Sequence, residues 1–128
     1  MNPPLFASQK ASGFPSPADD FVEDSLDLNR FLIKRPAATF YTRVSGDSMM
    51  ADGILDGDYL IVDRSLEVFN NAVVVAAVNG ELIVRKYCQD KDGVWLVAAN
   101  ADYPPLLIQD DMEFQLWGVV RSVFRKTV

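Results

Sequence analysis

The stretch that decides the fold is NAVVVAAVNGELIVRKYC, residues 71–88. Two runs rich in valine, isoleucine and leucine flank Asn79-Gly80. Two-residue β-hairpin turns prefer this dipeptide because both central positions adopt positive φ angles. Branched side chains also pack well on a pleated sheet and are less favourable in a helix. The pattern therefore predicts an antiparallel hairpin that turns at Asn79 and Gly80.

Similar short runs, rich in branched and aromatic residues, lie on both sides of this hairpin from residue 37 to the C-terminus. Turn signals such as Asp52-Gly53, Asp56-Gly57 and Asp92-Gly93 separate them. Short strands at this spacing indicate a mostly β core that is closed into a small barrel or folded into a sandwich. The further runs are ATFYTRV, DYLIVDR, VWLVAA, PLLI and EFQLWGVVRSVF.

The beginning of the chain has a different composition. Residues 1–17, MNPPLFASQKASGFPSP, hold four prolines and mostly small or polar residues, which give little to bury. This composition fits a disordered tail or a flexible arm that docks onto a groove, and we place the arm at residues 1–24 and the core at residues 25–128. Ser16-Pro17 and Asp27 are helix-start signals, so one or two short helices are expected before Pro36.

Composition excludes several classes of function. The 128 residues include no histidine, so a Ser-His-Asp triad is impossible and a zinc site is disfavoured. The net charge of −6 argues against direct binding of nucleic acid, which needs clustered Lys or Arg. No phosphate-binding glycine loop is present, so no cofactor is expected. A lone Cys88 cannot form an internal disulfide, and no apolar run could span a membrane, so we expect a cytoplasmic protein.

Ser48 is the candidate for chemistry. It lies in VSGDSMMADG, residues 44–53, a glycine-flanked turn between two β runs, where a hydrolase would hold a nucleophile. Without histidine, the remaining base is a lysine whose pKa of about 10.4 falls by roughly 3 units through burial. Of the lysines, only Lys86 lies in an apolar β run. Ser48 as a plain turn residue and Lys86 as a surface residue remain the alternatives.

Several longer motifs resemble the UmuD branch of the LexA-type self-cleaving proteases, peptidase family S24. The resemblance runs from about Pro4 to the C-terminus. It implies a LexA-like β core with a Ser-Lys dyad and a mobile N-terminal arm that is cut once, before a glycine. It also implies a homodimer, cleavage stimulated by a RecA filament on single-stranded DNA, and partnership with a Y-family translesion polymerase in SOS mutagenesis. The motifs are SGFPSPADDFVEDSLDLN, PAATFYTRVSGDSM, DGDYLIVDRS and VVVAAVNGELIVRK.

The resemblance assigns roles to individual residues. The nucleophile maps onto Ser48, and the cleaved bond maps onto Ser12-Gly13. The lysine of the dyad maps onto the first basic residue after GELIV, which in this chain is Arg85. A guanidinium keeps its proton and offers no lone pair, so Arg85 cannot act as a general base.

Three interpretations of Arg85 are open. The chain is a slow or inactive protease, or it uses Lys86, or the arginine is an unusual or introduced change in an active line. Because neighbours on a strand point to opposite faces, Lys86 could replace Arg85 only through a bulge after the Asn79-Gly80 turn.

Candidate groups for the remaining parts of the site come from the turn itself. Backbone amides around Asp47, Ser48 and Met49 are candidates for an oxyanion site, and the side chains of Met49 and Met50 belong either to a substrate groove or to the core. A non-catalytic dimeric β domain that regulates a polymerase is the alternative function, and a metal-free hydrolase acting on other substrates is a weaker one.

Overall fold

The structure is a computed structural model that describes residues 27–127. The predicted arm at residues 1–24, the Ser12-Gly13 bond and the helix start at Ser16-Pro17 lie outside the described residues. The predicted boundary between residues 24 and 25 lies outside them too. No helix of the described part is both long and apolar enough to cross a membrane.

A single turn of helix, α1 (Leu28–Leu32), follows Asp27. Asp27 accepts a hydrogen bond from the Asn29 backbone N–H on its Oδ1 at 3.1 Å, so it caps the helix as the sequence predicts. The helix ends at Leu32, before Pro36 as predicted, and Arg35, the residue that precedes the proline, has a non-helical φ of −134°.

A compact unit that begins at Leu32 contains the β structure. Each predicted β run forms a strand, which confirms the mostly β fold. The strands pair antiparallel in one sheet, in the order β1-β2-β7-β3-β4-β5-β6. Short 3-10 turns lie at Pro36–Ala38 and Met50–Asp52. The strands are β1 (Thr39–Arg43), β2 (Tyr59–Asp63), β3 (Val73–Val78), β4 (Glu81–Asp90), β5 (Gly93–Val97), β6 (Leu106–Leu107) and β7 (Phe114–Phe124).

The β3–β4 hairpin turns where the sequence predicts. Asn79 has a φ of 51° and Gly80 a φ of 85°, the two positive values that the preferred two-residue turn requires. Its ladder runs without a shift from the Val78–Glu81 pair to the Val73–Lys86 pair. The register therefore fixes which side of β4 each basic residue occupies.

Strand β7, which lies between β2 and β3, is irregular on both sides. Its register shifts opposite Ile61 and Val62 of β2, and again opposite Val75 and Ala76 of β3. Such bulges bend a strand and increase its twist. β2 lies close to β7 at Gly118, where an added Cβ would lie 2.8 Å from the Val62 side chain.

In the described part of the chain, two clusters of buried apolar residues form the core. Adjacent strand residues point to opposite faces, so Val74 and Val75 belong to different clusters. The cluster around Val75 includes Val44, Met49 and Ile54 from the connection between β1 and β2. That connection, which carries Ser48, is therefore anchored in the core.

Candidate active site

Ser48 lies on the connection between β1 and β2, inside the segment that the core anchors. Its neighbour Met49 is fully buried, and Ser48 itself is only 8% exposed. Two residues before Ser48, Gly46 has a φ of 95°, which favours glycine. The Gly46 N–H donates to Asp56 Oδ1 at 2.7 Å and closes the loop on itself. The serine is thus held in a fixed position.

The segment after β5 holds the other side of this loop. The Ala99 N–H donates to the Ser48 carbonyl at 2.8 Å, and the Ala51 N–H donates to the Ala99 carbonyl at 2.8 Å. The Asn100 side-chain amide donates to the Asp47 carbonyl at 2.9 Å. Ser48 is therefore bonded on both sides by backbone and amide groups, which preorganises it.

Arg85 reaches Ser48 from strand β4. Its Nη1 donates to Ser48 Oγ at 2.7 Å and to the Val84 carbonyl at 2.8 Å. The guanidinium carbon lies 5.3 Å from the centroid of the Tyr103 ring, a cation–π distance. The structure thus brings together Ser48 and the residue at the mapped lysine position.

The charge state of the Arg85 guanidinium decides whether it could take a proton from Ser48. Burial lowers the pKa of the Arg85 guanidinium, and the negative charges that Tyr103 and Glu81 can carry oppose this effect. Arginine nevertheless keeps its proton at neutral pH, and it has no acceptor lone pair. Among residues 27–127, no side chain accepts a hydrogen bond from the Ser48 hydroxyl, which itself accepts one from Arg85.

Tyr103 does not supply the missing base at neutral pH. Its hydroxyl donates to Asp47 Oδ1 at 2.8 Å. This hydrogen bond, together with the charge of Asp47, raises the pKa of Tyr103 above its usual value of 10.0. The phenol therefore stays protonated near pH 7.

Lys86 does not contact Ser48. Its Nζ lies 3.1 Å from Asp52 Oδ2 in an ion pair. The β3–β4 ladder contains no bulge between the turn and Lys86, so the displacement that would exchange Arg85 and Lys86 is not present in this structure. The arrangement brings Arg85, and not Lys86, to the serine.

The oxyanion candidates lie in the same turn. In the described part of the chain, the backbone N–H groups of Ser48 and Met49 have no backbone or side-chain acceptor, whereas the Met50 N–H donates to the Asp47 carbonyl at 3.2 Å. Free amides beside a serine are the donors that a developing oxyanion would use. The Met49 side chain is part of the core, and Met50 is half exposed.

A cavity of about 260 Å³ opens beside Ser48. Segments of β1 and β4 form two of its walls, and Tyr103 closes a third. Over residues 27–127, no group of three Cys, Asp or Glu side chains could hold a metal ion. The residues that line the cavity are Thr42, Arg43, Val44, Ser45, Ser48, Val75, Glu81, Leu82, Ile83, Val84, Arg85 and Tyr103.

The sequence analysis missed Ala99, Asn100 and Tyr103. Asn100 and Tyr103 lie in NADY, a polar loop after β5, and Ala99 directly precedes it. All three contact the Ser48 turn across about fifty positions of sequence. A local pattern cannot indicate such a contact, because it depends on how the strands are ordered in the sheet. An asparagine and a tyrosine in a short polar loop were the only available signal.

Comparison with known proteins places the chain among related sequences. The profile of the family described as Peptidase S24-like matches residues 4–121. Protein ImpA of Escherichia coli is 48% identical over 125 residues, which cover 97% of this chain and 84% of ImpA. Protein SamA of Salmonella typhimurium is 41% identical over 124 residues, 97% of this chain and 86% of SamA. The LexA repressor of Sorangium cellulosum is 37% identical over 118 residues, 91% of this chain and 51% of the repressor.

Proposed function

The chain belongs to the peptidase S24-like family, and we propose that it is an accessory factor of SOS mutagenesis whose self-cleavage is impaired. Removal of the arm at Ser12-Gly13, stimulated by a RecA filament on single-stranded DNA, would convert a cytoplasmic homodimer into the accessory subunit of a Y-family translesion polymerase. This role follows from the motifs that resemble the UmuD branch, and the similarity to ImpA and SamA over most of their length supports it.

The observation that carries the impairment is the 2.7 Å hydrogen bond from Arg85 Nη1 to Ser48 Oγ. To cut the arm, Ser48 Oγ would attack the Ser12 carbonyl carbon and pass its proton to a base. A guanidinium cannot take that proton. The amides of Ser48 and Met49 would stabilise the tetrahedral oxyanion, so the site keeps its nucleophile and its donors but lacks a base.

Lys86 is the fallback base in this proposal. It would have to leave its ion pair with Asp52 and move to the other face of β4, which requires a one-residue shift of the ladder. A shift of that kind would also reverse the facing of the apolar residues of β4. We therefore propose that Lys86 is not the base in the arrangement that this structure shows.

A second candidate is a non-catalytic dimeric β domain that regulates a polymerase. The same hydrogen bond favours it, because Arg85 and Ser48 satisfy each other in a resting arrangement. The two candidates differ in whether a shortened chain that begins at Gly13 ever forms.

The first experiment measures that product. The purified full chain is incubated at pH 7.5 with RecA, ATP and single-stranded DNA, and its intact mass is followed over time. We expect slow conversion to a chain that begins at Gly13, with none for Ser48→Ala. Rapid, complete conversion would contradict the impairment, and no product under any condition would favour the non-catalytic domain.

A second experiment tests the role in mutagenesis. In cells that lack their own accessory factor, a chain started at Gly13 should restore damage-induced mutagenesis better than full-length Ser48→Ala does. Equal restoration by both would show that removal of the arm is not the switch. Restoration by neither would contradict the assignment to SOS mutagenesis.

A further inference from the structure

Arg85 has hydrogen-bond donors that the site does not use. A guanidinium carries five N–H bonds, and both of those on Nη1 are occupied by Ser48 Oγ and the Val84 carbonyl. Within residues 27–127, neither Nε nor Nη2 has an acceptor. These two nitrogens form one straight edge, whose parallel N–H bonds match the two oxygens of a carboxylate.

The same guanidinium also lacks a counter-ion. It is partly buried, and none of the ion pairs formed by the described residues includes it. Its direct contacts are a hydroxyl, a carbonyl and the face of the Tyr103 ring, all of them neutral. Glu81, which also lines the cavity, acts on the guanidinium through its charge but forms no ion pair with it. A partly desolvated cation whose direct contacts are all neutral gains from an anion more than a solvated one does.

We propose that the cavity beside Ser48 binds the C-terminal carboxylate of a peptide, held by the Nε–Nη2 edge of Arg85. The Ser48 contact and the Tyr103 ring fix the plane of the guanidinium, so the edge is preorganised. The amides of Ser48 and Met49 are further donors for the same group. Lysine at this position would offer a point charge in place of the paired donors.

The size and charge of the cavity select this ligand. Its volume of about 260 Å³ is below the range of about 300–1,000 Å³ that is usual for cofactors and drug-sized molecules. Glu81 lines it, and the Asp47 carboxylate lies behind Tyr103, so a doubly charged phosphate would be repelled more strongly than a carboxylate.

The fold favours the C-terminal carboxylate of a peptide over a side-chain carboxylate. One wall of the cavity is made by β1, which among residues 27–127 is the last strand at its end of the sheet. An extended peptide can pair with such an edge, and a free carboxylate at its end can then enter a pocket. A side-chain carboxylate in mid-chain would require the peptide to continue past the pocket on both sides.

The test uses a matched pair of peptides with the full-length protein at pH 6.5. Acetylated SQKAS, residues 8–12, is prepared once with a free C-terminal carboxylate and once as the amide. The choice of this probe rests on the proposed function, because cleavage at Ser12-Gly13 would create this end. Acetate is the third ligand and distinguishes a peptide site from a general site for small carboxylates.

Binding is followed by the NMR signal of the Arg85 Nε–H group and by the Kd. We expect the acid to shift this signal and to bind at least about tenfold more tightly than the amide or acetate, since charge-assisted bidentate bonds are the strong ones. Arg85→Gln should remove the preference for the acid. Arg85→Lys, which retains the charge, should also reduce it several-fold, and Lys86→Gln should leave it unchanged.

Three results would overturn the proposal. They are equal affinity for acid and amide, an acid preference that survives Arg85→Gln in a folded variant, and acetate binding as tight as that of the peptide. None of these depends on whether the arm is cut. Failure of the proposed function would appear in the mass and mutagenesis experiments, whereas failure here would appear only in the binding data.

Discussion

At the scale of single residues, Arg85 and a lysine in its place would both set a charged nitrogen near Ser48, but only lysine can lose its proton and then act as a base. A correctly placed general base contributes about 10²–10⁴-fold to a rate. We expect Arg85→Lys to increase self-cleavage by about this factor at pH 10, where lysine is partly neutral. Intact mass after incubation at pH 10 measures it, and the product should begin at Gly13.

The neighbouring lysine provides the control. Because Lys86 is paired with Asp52 and does not contact Ser48, Lys86→Ala should not alter the cleavage of the Arg85→Lys protein. The unmodified protein should not respond to pH 10, since arginine stays protonated there. Alkaline cleavage of the unmodified protein that Lys86→Ala abolishes would contradict this account and support a shifted register.

A second residue-scale prediction concerns Asp58, an almost fully buried residue at the end of the connection that carries Ser48. It accepts bonds from Nε and Nη2 of Arg125 at 2.7 Å each and from the Leu55 N–H at 2.8 Å. Chiefly the Arg125 bonds lower the pKa of Asp58 from 3.8 to about 2, against the opposing effect of burial. The folded pKa is below the unfolded one, so this carboxylate stabilises the fold above about pH 4 and loses that effect as the pH falls towards 2.

Arg125→Gln should therefore reduce the free energy of unfolding at pH 7, and its difference from the unmodified protein should shrink as the pH falls from 4 to 2. Urea unfolding at pH 7, 4, 3 and 2 measures both effects. Lys126→Gln removes a neighbouring exposed charge and should show a smaller difference. If the loss of unfolding free energy in Arg125→Gln stayed constant from pH 4 to pH 2, the proposed role of Asp58 would be contradicted.

At the scale of the strands, local sequence patterns predicted most of the structure. The Asn79-Gly80 turn was predictable because its φ angles depend on those two residues alone. The strand runs were predictable because branched residues favour the pleated sheet. The capping role of Asp27 was predictable because a helix cap depends only on nearby residues. The turn at Ser48 was also recognisable from its flanking glycines.

Features that depend on pairing between distant strands were not predictable. The register shifts in β7 arise from its fit to β2 and β3 together. Gly118 lies beside one of them, and a glycine inside a strand often marks a bulge, but it does not identify the strand that the shift faces. The contacts of Asn100 and Tyr103 with Asp47 depend on where β5 lies in the sheet. The sequence identified Arg85 at the mapped position, but its bond to Ser48 required the register of β3 and β4.

Gly118 tests the close approach of β2 and β7. An added Cβ would lie 2.8 Å from Val62 Cγ1 and 2.9 Å from the Asp63 carbonyl oxygen, and the backbone atom cannot move aside easily. Gly118→Ala should therefore destabilise the protein by about 1–3 kcal/mol, as overpacking does. Urea unfolding measures the change. Gln115→Ala, at an exposed site of the same strand, should stay within about 0.5 kcal/mol, and a Gly118→Ala variant as stable as that one would contradict the account.

At the scale of the whole molecule, strands β1, β2 and β7 carry an exposed aromatic surface, made of Tyr41, Tyr59 and Phe124. Tyr41 is 67% exposed and Phe124 40% exposed. Tyr59 stacks on Phe124 with centroids 5.0 Å apart and lies 6.3 Å from Tyr41, so the rings form one continuous patch. Contiguous exposed apolar surface of this kind usually marks an interface, and the proposed homodimer supplies a second copy as its partner.

We expect the unmodified protein to be a dimer at micromolar concentration, and Tyr41→Ser combined with Phe124→Ser to shift it towards the monomer. The reason is that these substitutions remove apolar area that the second copy would cover, at roughly 25 cal/mol per Å². Light scattering measures the mass. Phe69→Ser is the matched control, because Phe69 is 60% exposed but lies in the connection between β2 and β3, outside the aromatic surface. A monomeric unmodified protein would contradict the dimer, and dissociation by Phe69→Ser to the same extent would show that the aromatic surface is not where the copies meet.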